Sequence, residues 1–596
     1  MLVLVGLAIP VGVVSAFVAK GLLWLIAEIT NLVFFQRFGA ALPPLEGHHL
    51  GSWIIAAPVA GALIIGLMAR YGSEKIRGHG IPEALEAILL GQSVIEPKVA
   101  LLKPISSAIS IGTGGPFGAE GPIIMTGGAV GSLIAQLFHL TAAERKTLLV
   151  AGAAGGMAAV FSTPIAATLL AVELLLFEWR PRSFIPVAVA SMVATLLRVP
   201  LLGAGPIFPV HPHAALGATI ILCAVLIGLL AGFGSGLLTV LVYFCEDIFL
   251  KLPIHWMWWP ALGAIFVGLG GWFDPRVLGV GYYLIDGLLQ GHILGAAVVS
   301  LLLLKAIVWS VSLGSGTSGG VLAPLLIIGG ALGAFVGQWL PVGDPGLWAM
   351  VAMAGMMGGT MRSPLTGMFF MLELTADYNA LPALLCGSVA ALAVTVLLMR
   401  RSILTEKLAR RGQHIAREYS VDLFELMRVG DVMSRHFTML AATTTLPQYC
   451  SRLASRDPVV CSRHGTLLAD EAGELVGIIT RGDVVRAGDR AHDETLTVLE
   501  AGQSELIVTY PDETLYDAIA KLLRNDIGRL PVVDRSAPKK AVGYLGRGDI
   551  LGARQRYHRE EDVRERGATM RSAARQLPFA DRAGRPTPNE PTFLRR

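Results

Sequence analysis

Apolar residues run in long blocks through the first two thirds of the chain, around 51–68, 147–172, 215–244, 293–313, 321–340 and 381–399. A helix needs about 20 mostly apolar residues to span a bilayer, so several of these blocks predict membrane helices. The opening run, MLVLVGLAIP, has no basic stretch before it and no small-residue cleavage site after it. It predicts a first membrane helix rather than a signal peptide. Other apolar blocks are shorter and broken by Gly and Pro. Broken backbone at membrane depth must be buried in protein or line a cavity, so these breaks mark a candidate transport site. Past residue 425 the pattern changes to short strands alternating with amphipathic helices. Two modules are expected there, at 429–490 and 500–556, each a strand, a helix, two strands and a closing helix.

The broken apolar region repeats itself. Residues 121–131, GPIIMTGGAVG, match 323–333, APLLIIGGALG, at an offset of 202. Residues 158–174, AAVFSTPIAATLLAVEL, match 358–374, GGTMRSPLTGMFFMLEL, at an offset of 200. Pro122 thus pairs with Pro324, Pro164 with Pro364, Glu173 with Glu373 and Lys103 with Lys305. Gly-rich membrane helices resemble one another, which accounts for one matched segment but not for several in the same order. The membrane part, 1–405, therefore reads as two homologous halves, about 1–200 and 201–400. In transporters built this way the site lies between the halves, where helices are interrupted.

Charge follows the same division. Residues 1–400 hold 17 Lys/Arg and 17 Asp/Glu, leaving 31 and 27 for the remaining 196 residues, so the net +4 sits wholly in the second part. The basic segment RRSILTEKLARRG follows an apolar helix directly. Positive flanks favour the cytoplasm, so the linker (406–428) and both modules are expected there. The tail 557–596, rich in Arg with few apolar residues, is expected to be disordered. The five cysteines form no CxxC pair, which points to neither a zinc site nor a disulfide framework. Basic residues are interleaved with acids, so nucleic acid is not an expected partner.

Three Gly-rich interruptions carry the candidate chemistry: Gly78-His79-Gly80-Ile81-Pro82, the stretch from Gly112 to Pro122, and its repeat partner from Gly314 to Pro324. Each ends at a Pro that is expected to open a helix. Glycine lets backbone approach closely, and a helix N-terminus offers free N–H donors with a partial positive charge. Several such termini meeting inside a membrane form an anion site without a lysine. One acid, Glu120, interrupts these loops. At membrane depth an ionisable residue is a functional candidate; the plainer role is a helix cap. A carboxylate seated on anion-binding amides competes with a permeating anion, and protonation would release it.

The ordered set GHGIP, GAEGP, GGVLAP, FSTPIA with RSPLTG, and ELTADYNALP resembles the CLC family of chloride channels and chloride/proton exchangers. The resemblance covers nearly the whole chain, including a trailing pair of CBS modules. It implies a mainly α membrane protein with an inverted-repeat helical pore, a homodimer with one pore per subunit, and a cytoplasmic α/β CBS pair. It also implies that Glu120 is the gating glutamate and that the amides of Val321 and Leu322 bind the anion, with Gly118, Ala119 and Gly320 in the same loops.

Three positions depart from the family pattern. His79 stands where a Ser is usual, either donating an imidazole N–H to the anion or capping a helix start. Leu404 stands where a Tyr usually completes the inner anion site. Leu174 stands where exchangers carry an inner proton glutamate, which favours a channel-like chloride pathway over a proton-coupled antiporter for chloride or another small anion. Glu178, four residues on and expected on the same helical face, is the candidate replacement relay; Glu173 is the weaker one, because its repeat partner Glu373 suggests a structural role.

In the CBS modules, Gly477-Ile478-Ile479-Thr480-Arg481-Gly482-Asp483 resembles the pattern in which a hydroxyl and an Asp hold a ribose. The second copy keeps Asp549 but has Gly546 in place of the hydroxyl. An adenine nucleotide is the possible ligand; the plain alternative is that both Asp residues cap a helix. No cofactor is otherwise required, and no nucleophile–base or metal-ligand constellation suggests an enzyme. A CBS-bearing divalent-cation transporter would instead need clustered acids in the pore, which the Gly loops lack.

Overall fold

The computed structural model describes residues 1–89, 93–213, 217–410, 424, 427–461, 465–488, 493 and 495–562. The chain forms two compact units, one within Met1–Arg411 and one within Gly412–Asp562.

The first half of the membrane unit comprises α1 (Leu2–Phe35), α2 (Ala56–Tyr71), α3 (Ile81–Leu89), α4 (Pro97–Gly112), α5 (Glu120–Gln136), α6 (Ala142–Phe161), α7 (Pro164–Leu170) and α8 (Pro181–Leu202). The second comprises α9 (Ala218–Leu250), α10 (Trp259–Phe273), α11 (Tyr282–Leu289), α12 (Ala296–Gly314), α13 (Leu322–Gly337), α14 (Pro345–Met361), α15 (Pro364–Thr375) and α16 (Leu381–Leu398), with α17 (Ile403–Arg410) after it. Among the described residues, 6 helices are long and apolar enough to cross a membrane.

Helix starts follow local chemistry. Proline opens α4, α7, α8, α14 and α15, where its missing N–H leaves nothing unpaired. A reciprocal cap starts α6: the Glu144 N–H donates to Thr141 Oγ1 at 3.2 Å and the Thr141 N–H to Glu144 Oε2 at 2.9 Å. At the three Gly loops the helices begin before the proline, at Ile81, Glu120 and Leu322. Pro82, Pro122 and Pro324 fall within the first turn, whose N–H groups have no intrahelical partner. Glu120 and Leu322 thereby become first helical residues.

The repeat appears in the packing. Gly127 and Gly131 on α5 lie against the carbonyls of Gly152 and Leu148 on α6, and Gly329 and Gly333 on α13 against those of Ala352 and Trp348 on α14; a Cβ at any of the four would overlap backbone. In a bilayer, helices associate by close packing at small residues, and the same spacing of four serves both halves. Helix α14 is buried from Gly346 to Met361, and α6 from Thr147 to Phe161. The outer faces of α1, α8, α9 and α16 expose Phe17, Leu196, Leu222, Leu237 and Leu397, as contact with lipid tails allows.

In the second unit, β1 (Met439–Ala441) pairs parallel with β2 (Gly465–Ala469), which pairs antiparallel with β3 (Leu475–Thr480). Strands β4 (Arg529–Asp534) and β5 (Ala537–Gly546) pair antiparallel. Helices Leu446–Ala454 and Leu515–Arg524 cover separate cores, around Tyr449 and Ile479 and around Leu515 and Val532. The two modules meet where Leu467 and Ile478 pack on Val533 and Tyr544. The strand expected at the start of the second module is reduced to one bridge, Thr509 with Val532. The closing helix runs from Arg547 to Asp562, so the expected disordered tail does not begin at 557; residues 563–596 lie outside the described residues. Of the expected linker, residues 406–410 belong to α17, and 411–423 with 425–426 lie outside the described residues.

Candidate functional site

The Gly loops meet in the middle of the membrane unit. Gly78 and Gly80 have φ of 91° and 92°, open to glycine at little cost. A Cβ on Gly80 would overlap the Gly121 carbonyl, and one on Gly121 the His79 carbonyl, so loop 78–82 touches the start of α5 backbone to backbone. The Gly320 N–H donates to the Gly118 carbonyl at 3.1 Å, and the Gly78 N–H to the Thr317 carbonyl at 3.1 Å. The Ser318 hydroxyl lies 2.9 Å from that of Ser107. These contacts bring the N-termini of α3, α5 and α13 together. The first helical bonds are Ile123 N–H to Ala119 and Leu325 N–H to Val321. The N–H groups of Glu120, Gly121, Leu322 and Ala323 therefore precede both ladders and point out of the helix starts.

Glu120 is fully buried at this junction. Its carboxylate lies over Gly118, where a Cβ would overlap it, and over Gly320, whose Cβ position is 2.9 Å from Oε2. The donors facing it are its own N–H, that of Ala323 and the Tyr282 hydroxyl, and neither carboxylate oxygen is in hydrogen-bond geometry with any of them. The sequence reading missed Tyr282. A signal was present: at an offset of 201, Gly279-Val280-Gly281 is the counterpart of Gly78-His79-Gly80. Its glycines also have positive φ, 64° and 73°, and the next residue, Tyr282, faces Glu120 and the backbone of Ala119.

Two buried lysines hold the paired loops from behind. Lys103 Nζ donates to the carbonyls of Ile76 (2.8 Å) and Gly78 (2.7 Å), and Lys305 Nζ to those of Val277 (2.8 Å) and Gly279 (3.2 Å). On the loop's other flank, Glu83 accepts from the Gly80 N–H and from Lys407 Nζ, both at 2.7 Å. His79 is buried within electrostatic range of Glu83. Leu404 is buried in α17, which packs on α3 and α14. The Tyr243 hydroxyl reaches this segment from α9 and donates to the Ile403 carbonyl.

The two paired glutamates exchange places between halves. Glu173 accepts from the N–H groups of Leu365 (3.3 Å) and Thr366 (2.8 Å) and from the Thr366 hydroxyl (2.6 Å), at the start of α15. Glu373 accepts from the N–H groups of Ile165 (2.9 Å) and Ala166 (2.8 Å), at the start of α7. Glu178 is not on the face expected of it. After α7 the chain runs through a π-helical turn, Ala171–Leu176, and leaves the helix at Phe177, φ 55°. Glu178 lies beyond that break, accepting from Ser183 Oγ at 2.6 Å, so the premise that it follows Leu174 along one helical face fails.

In the CBS unit both aspartates cap helix starts. Asp483 Oδ2 accepts from the Thr480 N–H at 2.7 Å while Thr480 Oγ1 accepts from the Asp483 N–H at 3.3 Å, and Arg486 pairs with Asp483. Asp549 Oδ2 accepts from the Gly546 N–H at 2.9 Å. Thr480 and Asp483 also line a cavity of about 180 Å³, with Arg486, Gln503 and Arg529; Asp549 does not line it.

Residues 60–396 match the family described as voltage gated chloride channel, and 429–490 and 500–556 each match the CBS domain. The chain is 30% identical to the voltage-gated ClC-type chloride channel ClcB of Salmonella typhimurium, over 61% of this chain and 89% of that one. With ClcB of Escherichia coli it shares 29% over 68% of this chain and 99% of that one. Its fold is similar to that of a slow cyanobacterial Cl⁻/H⁺ antiporter (TM-score 0.59, 22% identity, 68% of this chain and 97% of that one). It is also similar to that of a eukaryotic CLC transporter (TM-score 0.60, 18% identity, 92% and 97%). The chain belongs to the voltage-gated chloride channel (CLC) family, membrane proteins that transport chloride rather than enzymes, and carries a C-terminal CBS pair.

Proposed function

We propose that this protein moves chloride through a pore closed by Glu120, in a channel-like mode. The observation that carries this reading is the Glu120 carboxylate, fully buried on the meeting N-termini of α5 and α13, where the N–H groups of Glu120 and Ala323 and the Tyr282 hydroxyl face it. The helix ends that receive this carboxylate suit a halide equally well, so the side chain and the permeating ion compete for one place. Taking a carboxylate out of water costs several kcal/mol, which favours its displacement or neutralisation. His79, Gly118, Ala119, Gly320, Val321 and Leu322 line the proposed path from the loops, and Leu404 makes its inner end apolar.

The channel-like mode rests on the inner acids. Leu174 has no proton to give, Glu173 is engaged as a cap, and Glu178 lies past the helix break. One observation favours the proton-coupled alternative: a cleft of about 740 Å³ brings Glu83, Glu86 and Glu246 beside Gly78 and Lys407. The same reading makes the protein a homodimer in the cell membrane. Arg400, Arg401 and Lys407 after α16 support a cytoplasmic CBS pair, and Thr480 and Asp483 are its candidate adenine-nucleotide site. The deciding experiment is chloride efflux and proton flux from liposomes holding purified protein, wild type against Glu120→Gln. No anion flux from either refutes the pore; proton movement at a fixed ratio to chloride refutes the channel mode and installs the antiporter.

A further inference from the structure

Tyr282 opens α11 directly after Gly281. Its ring packs edge-on against Phe161 (centroids 6.0 Å, 82°) and Phe208 (6.2 Å, 61°), and Phe161 in turn packs against Phe370 at 5.1 Å. This aromatic wall fixes the ring and directs the phenol at the start of α5. There the hydroxyl faces the Glu120 carboxylate and the backbone of Ala119, is buried, and makes no hydrogen bond. Leaving a buried hydroxyl unpaired costs about 1–3 kcal/mol, and the ring packing alone would be met by phenylalanine. The polar groups against the phenol are the Glu120 carboxylate and the backbone of Ala119, at the start of α5; the lysines stand behind the loops, bonded to carbonyls.

We propose that the Tyr282 hydroxyl is a side-chain ligand of the permeating anion: it stands beside the Glu120 carboxylate when that side chain closes the pore, and donates to chloride when that side chain has moved away. It supplies the kind of hydroxyl donor that Leu404 and His79 do not. The O–H lies on a ring held by Phe161 and Phe208, so little side-chain freedom is lost when it binds. The inference rests on the Glu120-gated reading above.

The test is chloride binding by calorimetry and chloride efflux from liposomes, on the full chain, for Glu120→Gln and for Glu120→Gln with Tyr282→Phe. Phenylalanine keeps the ring packing and removes only the donor. The double variant is expected to bind chloride about tenfold more weakly than Glu120→Gln, the effect of losing one hydrogen bond to a charged acceptor. Equal affinity within twofold overturns the proposal. Should the double variant fail to fold, 3,5-difluorotyrosine at position 282, whose O–H is the stronger donor, must raise chloride affinity in Glu120→Gln; unchanged affinity overturns it equally. If wild type and Glu120→Gln neither bind nor move chloride, the pore reading itself has failed and Tyr282 falls with it; if both transport and the Tyr282 variants match them, only Tyr282 has failed.

Discussion

Replacing Glu173 by alanine removes an acceptor that α15 receives from the opposite half of the membrane unit. Three donors lose their partner: the N–H groups of Leu365 (3.3 Å) and Thr366 (2.8 Å) and the Thr366 hydroxyl (2.6 Å). The site is 3% exposed, so water does not readily replace the carboxylate. A hydrogen bond to a charged group contributes about 1.5–3 kcal/mol, and an acid at a partly buried helix N-terminus up to about 2 kcal/mol. These overlap, because the same N–H groups carry both effects, and the long 3.3 Å bond is weak. We expect Glu173→Ala to cost roughly 3–5 kcal/mol, and Glu173→Gln, which keeps one acceptor oxygen, about half of that. Glu373→Ala should cost less, since Glu373 is less deeply buried than Glu173 and accepts two bonds. The assay is thermal unfolding of purified protein in detergent, followed by loss of monodisperse protein on size exclusion, with chloride efflux measured on what survives. Melting like wild type would refute the capping argument. Unchanged stability with lost proton movement would make Glu173 a relay instead.

Other outcomes follow from the same geometry. His213 sits between Asp377 (Nδ1 to Oδ2, 2.5 Å) and Asp344 (Nε2 to Oδ2, 2.9 Å) in the loop joining the halves, and the hydrogen bond to Asp344, then that to Asp377, pushes its pKa up to about 9. A raised folded pKa gives stability that is complete below the ordinary value of 6.5 and lost as pH rises through about 9; melting of wild type should drop across that window, and a His213→Asn protein that shows the same drop would exclude this clamp. A Cβ at Gly320 meets the Gly118 carbonyl, while one at Gly118 meets the movable Glu120 side chain. Gly320→Ala should therefore fail to yield folded protein, whereas Gly118→Ala should fold and show altered efflux because Glu120 is displaced; equal yields with equal efflux contradict this. Lys305→Met strands the carbonyls of Val277 and Gly279, at about 1–3 kcal/mol each, and should lower the melting temperature without changing the chloride-to-nitrate preference of efflux. If Thr480 and Asp483 hold an adenine nucleotide, ATP should raise the melting temperature of the full chain and lose that effect in Asp483→Asn.

The parts of the site that were legible are those written within a few residues. Gly78, Gly80, Gly118 and Gly320 announce close backbone approach, Pro82, Pro122 and Pro324 announce helix starts, and Glu120 is the one acid among them. The paired landmarks also exposed the duplication, because two halves with the same fold keep the same small residues where helices touch. Glu178 failed for a local reason that periodicity does not carry: Phe177 in the left-handed region ends the helix after its π-helical turn, so counting four residues from Leu174 crossed a break.

Composition and pattern alone thus determined a membrane unit of two related halves, a candidate anion site on helix N-termini with Glu120 in it, and two α/β modules beyond. Only the tertiary structure decided what those elements meet. It crossed Glu173 to α15 and Glu373 to α7, set Lys103 and Lys305 behind the loops as anchors, and brought Tyr282 from α11 to the carboxylate of Glu120. Turn chemistry and apolar periodicity act over a few residues and are written there. Contacts between the halves depend on how whole helices pack, and no single stretch of the chain records which atoms that packing will bring together.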